Sequence, residues 1–355
     1  MSSRQIFFLY ALIVPAFKVA MLPSYLANNV GQDAWISVGV AMLIDIAILG
    51  AILFIKTRVG VLEYSNRAVR LISKGISVVL ALYFVLQACV LFEEVVAYLL
   101  QSFFDEAERL QIIVPLGIAI AYLTIKGGNT LGRLGEMLVW GLLLTILASV
   151  VFNRAEIDYT NILPIFDKGA SSIFGAKENA VWFGDYLPLL FINIRDRKKR
   201  RYGYIFGGAF VTLVLTTFTV MTFYSQWGDL TGNIPNAFAR LSGYNFISPD
   251  VGKIDWLTIL TWIASCTLKL SVLLLGVKGA INYVVGKNVS KITVPVSAFI
   301  VTMSVYLFIK DVKTAYTVGT QLWPLYLGIS VVAIIVLLVF SIFNKGERYG
   351  KDIQK

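Results

Sequence analysis

The sequence predicts an all-α polytopic membrane protein of about ten transmembrane helices. Three observations predict it. The 355-residue chain is 57% hydrophobic and only 15% charged, with a mean hydropathy of +0.76, whereas soluble domains carry about 25% charge. Its apolar runs recur at close to the roughly 20 residues that a helix needs to cross the hydrocarbon. Its basic residues also divide sharply between the two sides that those runs define.

The runs fall at 5–27, 35–55, 76–102, 110–126, 133–152, 169–193, 202–227, 256–277, 293–309 and 316–343. Pro15 lies near the centre of the first, with Lys18 just after it. Arg4, the following apolar run and the small residues around Val19 and Ala20 resemble a signal peptide. The apolar stretch resumes through Met21 and Leu22, so a retained span is expected. Between spans two and three, apolar Val61, Leu62, Tyr64, Val69, Leu71 and Ile72 alternate with Glu63, Arg67, Arg70 and Lys74. That pattern predicts a short amphipathic helix over 60–75 on the cytoplasmic face. Span six is punctuated by Gly169, Gly175 and Gly184, with Lys177, Glu178 and Asn179 near its middle. The longest connection, 228–255, holds Gly232, Pro235, Gly243, Pro249 and Gly252 and reads as an outer loop or lid. No low-complexity linker interrupts the spans, so residues 1–355 form a single membrane domain.

With the N-terminus inside, 20 of the 31 Lys and Arg residues fall on the cytoplasmic side, seven outside and four within spans. This bias sets both termini inside, and an even number of spans agrees. The net charge of +10 is therefore a topology signal. The basic cluster 195–201 sits in a loop between two spans, where it orients the chain and can touch anionic membrane lipid. No nucleic-acid partner is expected. Cys89 and Cys266 both lie inside spans and read as small packing residues. With no histidine in the chain, histidine-based triads, imidazole metal sites and imidazole proton relays are excluded. No metal site, cofactor motif or catalytic constellation is visible, so a non-enzymatic protein without cofactors is expected.

Two spans read as broken. Proline removes a backbone donor and clashes with the preceding turn, so span one reads as broken near Pro15, with the charged Lys18 just after it. The glycines place another in span six. Broken helices at corresponding positions of two five-span halves point to an inverted-repeat transporter site. A proline kink and an outer loop followed by a short helix are the plainer alternatives.

A charge at the centre of a membrane helix costs about 2.5–3.5 kcal/mol on insertion scales. Lys18, Asp45, Glu93, Glu94 and Lys269 nevertheless fall inside spans. At ~1.5 Å per residue, Lys18 and Lys269 lie within roughly 3–5 Å of the midplane and Glu93 roughly 6 Å outward. Glu94 points about 100° away from Glu93, so at most one of them faces a given partner well. Bases and acids at similar depth imply ion pairs inside the bundle. They are either structural or in contact with a small zwitterionic ligand or a proton.

The order of short motifs along the chain adds to this. Ala16–Lys18 and Leu22–Pro23 lie in span one; Asp33, Trp35 and Ile36 open span two; Phe92–Glu93 lies in span three and Arg133 opens span five. Asn161–Pro164, Gly169, Phe183–Gly184–Asp185 and a basic loop ending in Tyr202 mark span six and its exit. Lys253 and Asp255 precede Trp262 at span eight. In this order the chain resembles the permease-like B subunits of spore germinant receptors (the GerAB type), within the amino acid–polyamine–organocation superfamily. It departs from that pattern at Ala16–Phe17–Lys18, where the family is usually glycine-rich.

The resemblance implies a LeuT-like five-plus-five inverted repeat with helices one and six broken. The halves would be 1–152 and 153–343, followed by a cytoplasmic tail at 344–355. It implies a nutrient-sensing subunit in the spore inner membrane, working with A-type and C-type receptor subunits and binding a small-molecule nutrient such as an amino acid. A proton-coupled amino-acid transporter is the alternative on the same fold. The implied ligand residues are Pro15, Ala16, Phe17 and Lys18 in span one and Phe174, Gly175, Ala176 and Asn179 in span six. In some relatives a lysine ammonium replaces the sodium ion between spans one and eight, which makes Lys18, or else Lys269, a candidate ion surrogate. Structural pairing of Lys18 with Asp45 or Glu93 is the alternative.

Overall fold

The computed structural model describes residues 1–20, 22–59, 66–102, 104, 106–174, 183–195, 202–234, 246–248, 252–253, 255–309 and 311–343. Within them the chain forms helices α1 (Ser3–Ala20), α2 (Leu22–Val30), α3 (Ala34–Val59), α4 (Arg67–Ser102) and α5 (Arg109–Lys126). These are followed by α6 (Gly128–Phe152), a short α7 (Ala170–Phe174), α8 (Tyr202–Trp227), α9 (Asp255–Val285), α10 (Ser290–Leu307) and α11 (Val312–Phe343). A small antiparallel ribbon, β1 (Phe246–Ser248) with β2 (Gly252–Lys253), lies in the long loop before α9. Eight of the described helical stretches are long and apolar enough to cross a membrane. The protein is a polytopic, helical membrane protein.

Burial separates an inner from an outer layer. Every residue of α1 from Leu9 to Ala20 is buried, as is most of the membrane stretch of α9. A helix that is apolar all round belongs in such a position. α1 packs on α6, α8 and α9, and small residues let it come close. A methyl group at Gly135 of α6 would lie 2.7 Å from Leu9 Cα, so only glycine fits that crossing. The outer layer exposes Leu43, Met137, Trp140, Leu144, Phe210 and Phe299. In water these rings and chains would form an aggregation surface; around a bundle of spans they face lipid.

The termini of α4, α5 and α10 are tied by one side chain. Arg109 donates to both carboxylate oxygens of Glu93, at 2.8 and 2.6 Å, and to the carbonyls of Val305 and Ile309. Glu93 is thus neutralised by Arg109 and not by Lys18, which corrects one expected pairing.

Two element boundaries also differ from expectation. α1 stays helical through Ala16–Lys18: Pro15 removes a single backbone donor, and Lys18 finds its acceptor in a side chain rather than in unwound carbonyls. Residues 67–75 are the first turns of α4, not a separate amphipathic helix, because the apolar pattern of span three continues through them; 60–65 lie outside the described residues.

Candidate functional site

The sixth apolar run does not form a continuous helix among its described residues. After α7, residues 183–195 run as irregular backbone with one 3-10 turn at Leu187–Leu190. Asp185, Tyr186, Leu187, Leu189 and Leu190 are buried, so this backbone must find hydrogen-bond partners within the protein. It does so side chain by side chain. The Gly184 N–H donates to Asp45 Oδ1 of α3 at 2.9 Å. The Phe183 carbonyl accepts from Tyr83 Oη and Gln87 Nε2 of α4 at 3.0 and 3.1 Å. Further along, the Ile192 carbonyl accepts from Lys56 Nζ at 2.8 Å. Gly184 has φ +86°, and a Cβ there would lie 2.5 Å from the Tyr83 hydroxyl oxygen. Glycine is required on both counts.

This turn delivers Asp185 between two buried lysines. Lys18 of α1 donates to Asp185 Oδ2 and stands 3.7 Å from Asp45 Oδ2. Lys269 of α9 is 2.8 Å from Asp185 Oδ1. None of the four side chains is more than 4% exposed. Each buried ion forfeits several kcal/mol of hydration, which only close pairing offsets. Two ammonium and two carboxylate groups make the cluster formally neutral, and four elements converge on it. Aromatic faces complete it: the Phe183 ring centroid lies 4.2 Å from Lys18 Nζ and that of Phe17 lies 5.1 Å from Lys269 Nζ, within cation–π range.

A second layer fixes α1 against α9. Trp262 Nε1 donates to the Ala16 carbonyl at 2.7 Å. Its ring meets Phe17 edge-on at 6.4 Å and Tyr98 at 4.5 Å. Tyr10 of α1 also stacks on Tyr186 at 5.1 Å. Both carboxylates of the cluster are already engaged by ammonium groups, so a metal ion would have to displace a lysine. Among the described residues no group of three or more His, Cys, Asp or Glu side chains lies together. Cys89 and Cys266 are buried free thiols.

The structure brings Lys18, Asp45 and Lys269 together and holds Glu93 apart on Arg109. Pro15, Ala16 and Phe17 are buried on α1 beside the cluster. Phe174 ends α7, while Gly175, Ala176 and Asn179 lie outside the described residues. Asp185, which binds both lysines, stands out in the sequence only as part of a motif. Its signal was present in the sequence: a Gly-Asp step in an interrupted span offers an acid at the depth where two lysines need partners.

A family model described as spore germination protein, the spore permease model, matches residues 1–313. No curated protein matches the chain.

Proposed function

We propose a function from one premise: the chain belongs to the spore germination protein family. As a multi-pass, permease-like germination protein, it is in our reading the nutrient-sensing membrane subunit of a germinant receptor. It binds a small zwitterionic ligand, an amino acid, between α1 and the interrupted sixth segment. It is a binding and coupling protein rather than an enzyme, resident in the spore inner membrane with A-type and C-type subunits. The ligand residues we propose are Pro15, Ala16, Phe17 and Lys18 of α1 together with Phe174, Gly175, Ala176 and Asn179 of the sixth segment.

The observation that carries this reading is the neutral quartet of Lys18, Asp45, Asp185 and Lys269 at the irregular turn. A zwitterion brings one charge of each sign. Its carboxylate can replace Asp185 on a lysine while an aspartate takes its ammonium, leaving no charge unpaired. A net anion or cation would leave one buried charge uncompensated, at a cost of several kcal/mol. The test is equilibrium binding of neutral α-amino acids to the reconstituted chain, beside their N-acetyl and methyl-ester forms, each lacking one charge. A ligand among them should lose at least about a hundredfold in affinity on either modification. Equal binding of the modified forms refutes the reading.

Ionisable groups at membrane depth also mark proton relays, and the same quartet favours a proton-coupled amino-acid transporter as the second reading. Concentrative uptake by the lone chain in proteoliposomes, driven by a proton gradient and abolished by an uncoupler, would select it.

A further inference from the structure

Away from the charge cluster, a groove of about 430 Å³ opens between α4, α9 and α10. Small residues form its recess: Ser77 and Ala81 on α4, Ala280 on α9 and Ser297 on α10, all buried. Its hydroxyl groups are turned back on their own helices. Ser77 donates to the Ser73 carbonyl at 2.8 Å, Thr293 to Val289 at 3.1 Å and Ser297 to Val294 at 3.1 Å. Nothing in the lining asks a polar occupant for a hydrogen bond, so the groove suits hydrocarbon.

One end of the groove is ringed by positive charge. Lys74 lies one turn before Val78 on the lining face of α4, and Arg70 one turn before Lys74. Tyr283 of α9 interacts with Ser73 of α4 and feels the charge of Arg70, so this end of α4 meets the end of α9. Lys287 occupies the turn after α9, and Lys291 lies in the first turn of α10 next to the lining residue Ile292. No Asp or Glu occurs in 66–85 or 275–300.

We infer that this groove is a binding site for an anionic phospholipid of the surrounding leaflet: an acyl chain lies between α4, α9 and α10, and the phosphate headgroup rests among Arg70, Lys74, Lys287 and Lys291. The charge complementarity selects a lipid over a partner's apolar helix, which would leave four cations facing it unanswered. The site does not depend on the ligand proposed for the quartet.

The full-length protein, reconstituted in nanodiscs of equal parts phosphatidylcholine and phosphatidylglycerol and re-extracted in detergent, tests this by native mass spectrometry of retained lipid. The wild type should retain phosphatidylglycerol in preference to phosphatidylcholine. Lys74→Gln with Lys291→Gln should weaken that retention about fivefold per lysine removed, while Lys74→Arg with Lys291→Arg should keep it. Val296→Trp fills the groove from a half-exposed position (49%) and should retain neither lipid. Unchanged phosphatidylglycerol retention in both the Gln pair and the tryptophan variant overturns the site in favour of diffuse charge attraction. Loss in the arginine pair also overturns it. Efficient cross-linking of Val296→Cys to another protein in native membranes, with no lipid retained by the wild type, assigns the groove to a partner helix instead.

Discussion

Asp185 is the side chain on which both buried lysines depend, one ammonium at each carboxylate oxygen. Asp45 is the lesser partner, 3.7 Å from Lys18 and also committed to the Gly184 N–H. This asymmetry makes the charge count testable by paired substitution. Lys18→Met removes one positive charge of the quartet and leaves two carboxylates with Lys269 alone. Breaking a buried pair in this way costs about 3–5 kcal/mol. Adding Asp45→Asn restores neutrality around the surviving Lys269–Asp185 pair and should recover a large part of that loss. Glu93→Gln should recover none, because Glu93 is bound to Arg109. The measurement is thermal or denaturant unfolding of the wild type and these three variants in one detergent. Rescue by Glu93→Gln, or a Lys18→Met variant that melts like the wild type, contradicts the geometry of the cluster.

At the level of elements, Arg109 ties the end of α10 and the start of α5 to Glu93 on α4. Arg109→Met should cost about 2–4 kcal/mol, toward the lower figure because the arginine side chain is 25% exposed. Arg109→Lys should recover only part of this, since an ammonium cannot make the two-pronged contact with the carboxylate. The check is the unfolding midpoint of each variant; indifference to Arg109→Met would show that α4, α5 and α10 hold together without this tie. Most of the helices were legible in the sequence, because apolar runs of membrane-crossing length leave the backbone little choice but to satisfy itself internally. The 202–227 run coincides with α8, and the 110–126 run with α5 to within one residue. The irregular sixth segment was legible from its glycines. The expected break at Ala16–Lys18 was not real, because proline and an ammonium mark where a helix can break and not where it must. Lys18 stays on an intact helix because Asp185, far away in sequence, reaches it. That pairing, and the bond between Arg109 and Glu93, depend on how the helices are arranged, which periodicity along a single chain does not encode.

Across the whole molecule, the basic residues and the short turns give one consistent orientation. Gly127 alone joins α5 to α6, so Lys126 and Arg133 must lie at the same end of the bundle. The turn Gly286–Val289 likewise keeps Lys287 and Lys291 together between α9 and α10. Lys56 and Arg58 close α3, and Arg67 and Arg70 open α4. Positively charged ends of short loops are retained in the cytoplasm, so these ends, and with them both termini, are expected inside. Arg154, exposed just beyond α6, is expected outside. Impermeant thiol labelling of intact cells can read this directly, with single cysteines introduced into a chain carrying Cys89→Ala and Cys266→Ala. Arg154→Cys should label from outside, and Lys287→Cys only after the membrane is permeabilised. The same orientation puts the basic mouth of the α4–α9–α10 groove on the cytoplasmic leaflet, where anionic lipid gives its lysines a partner. Labelling of Lys287→Cys in intact cells would reverse the orientation and move that mouth to the outer leaflet.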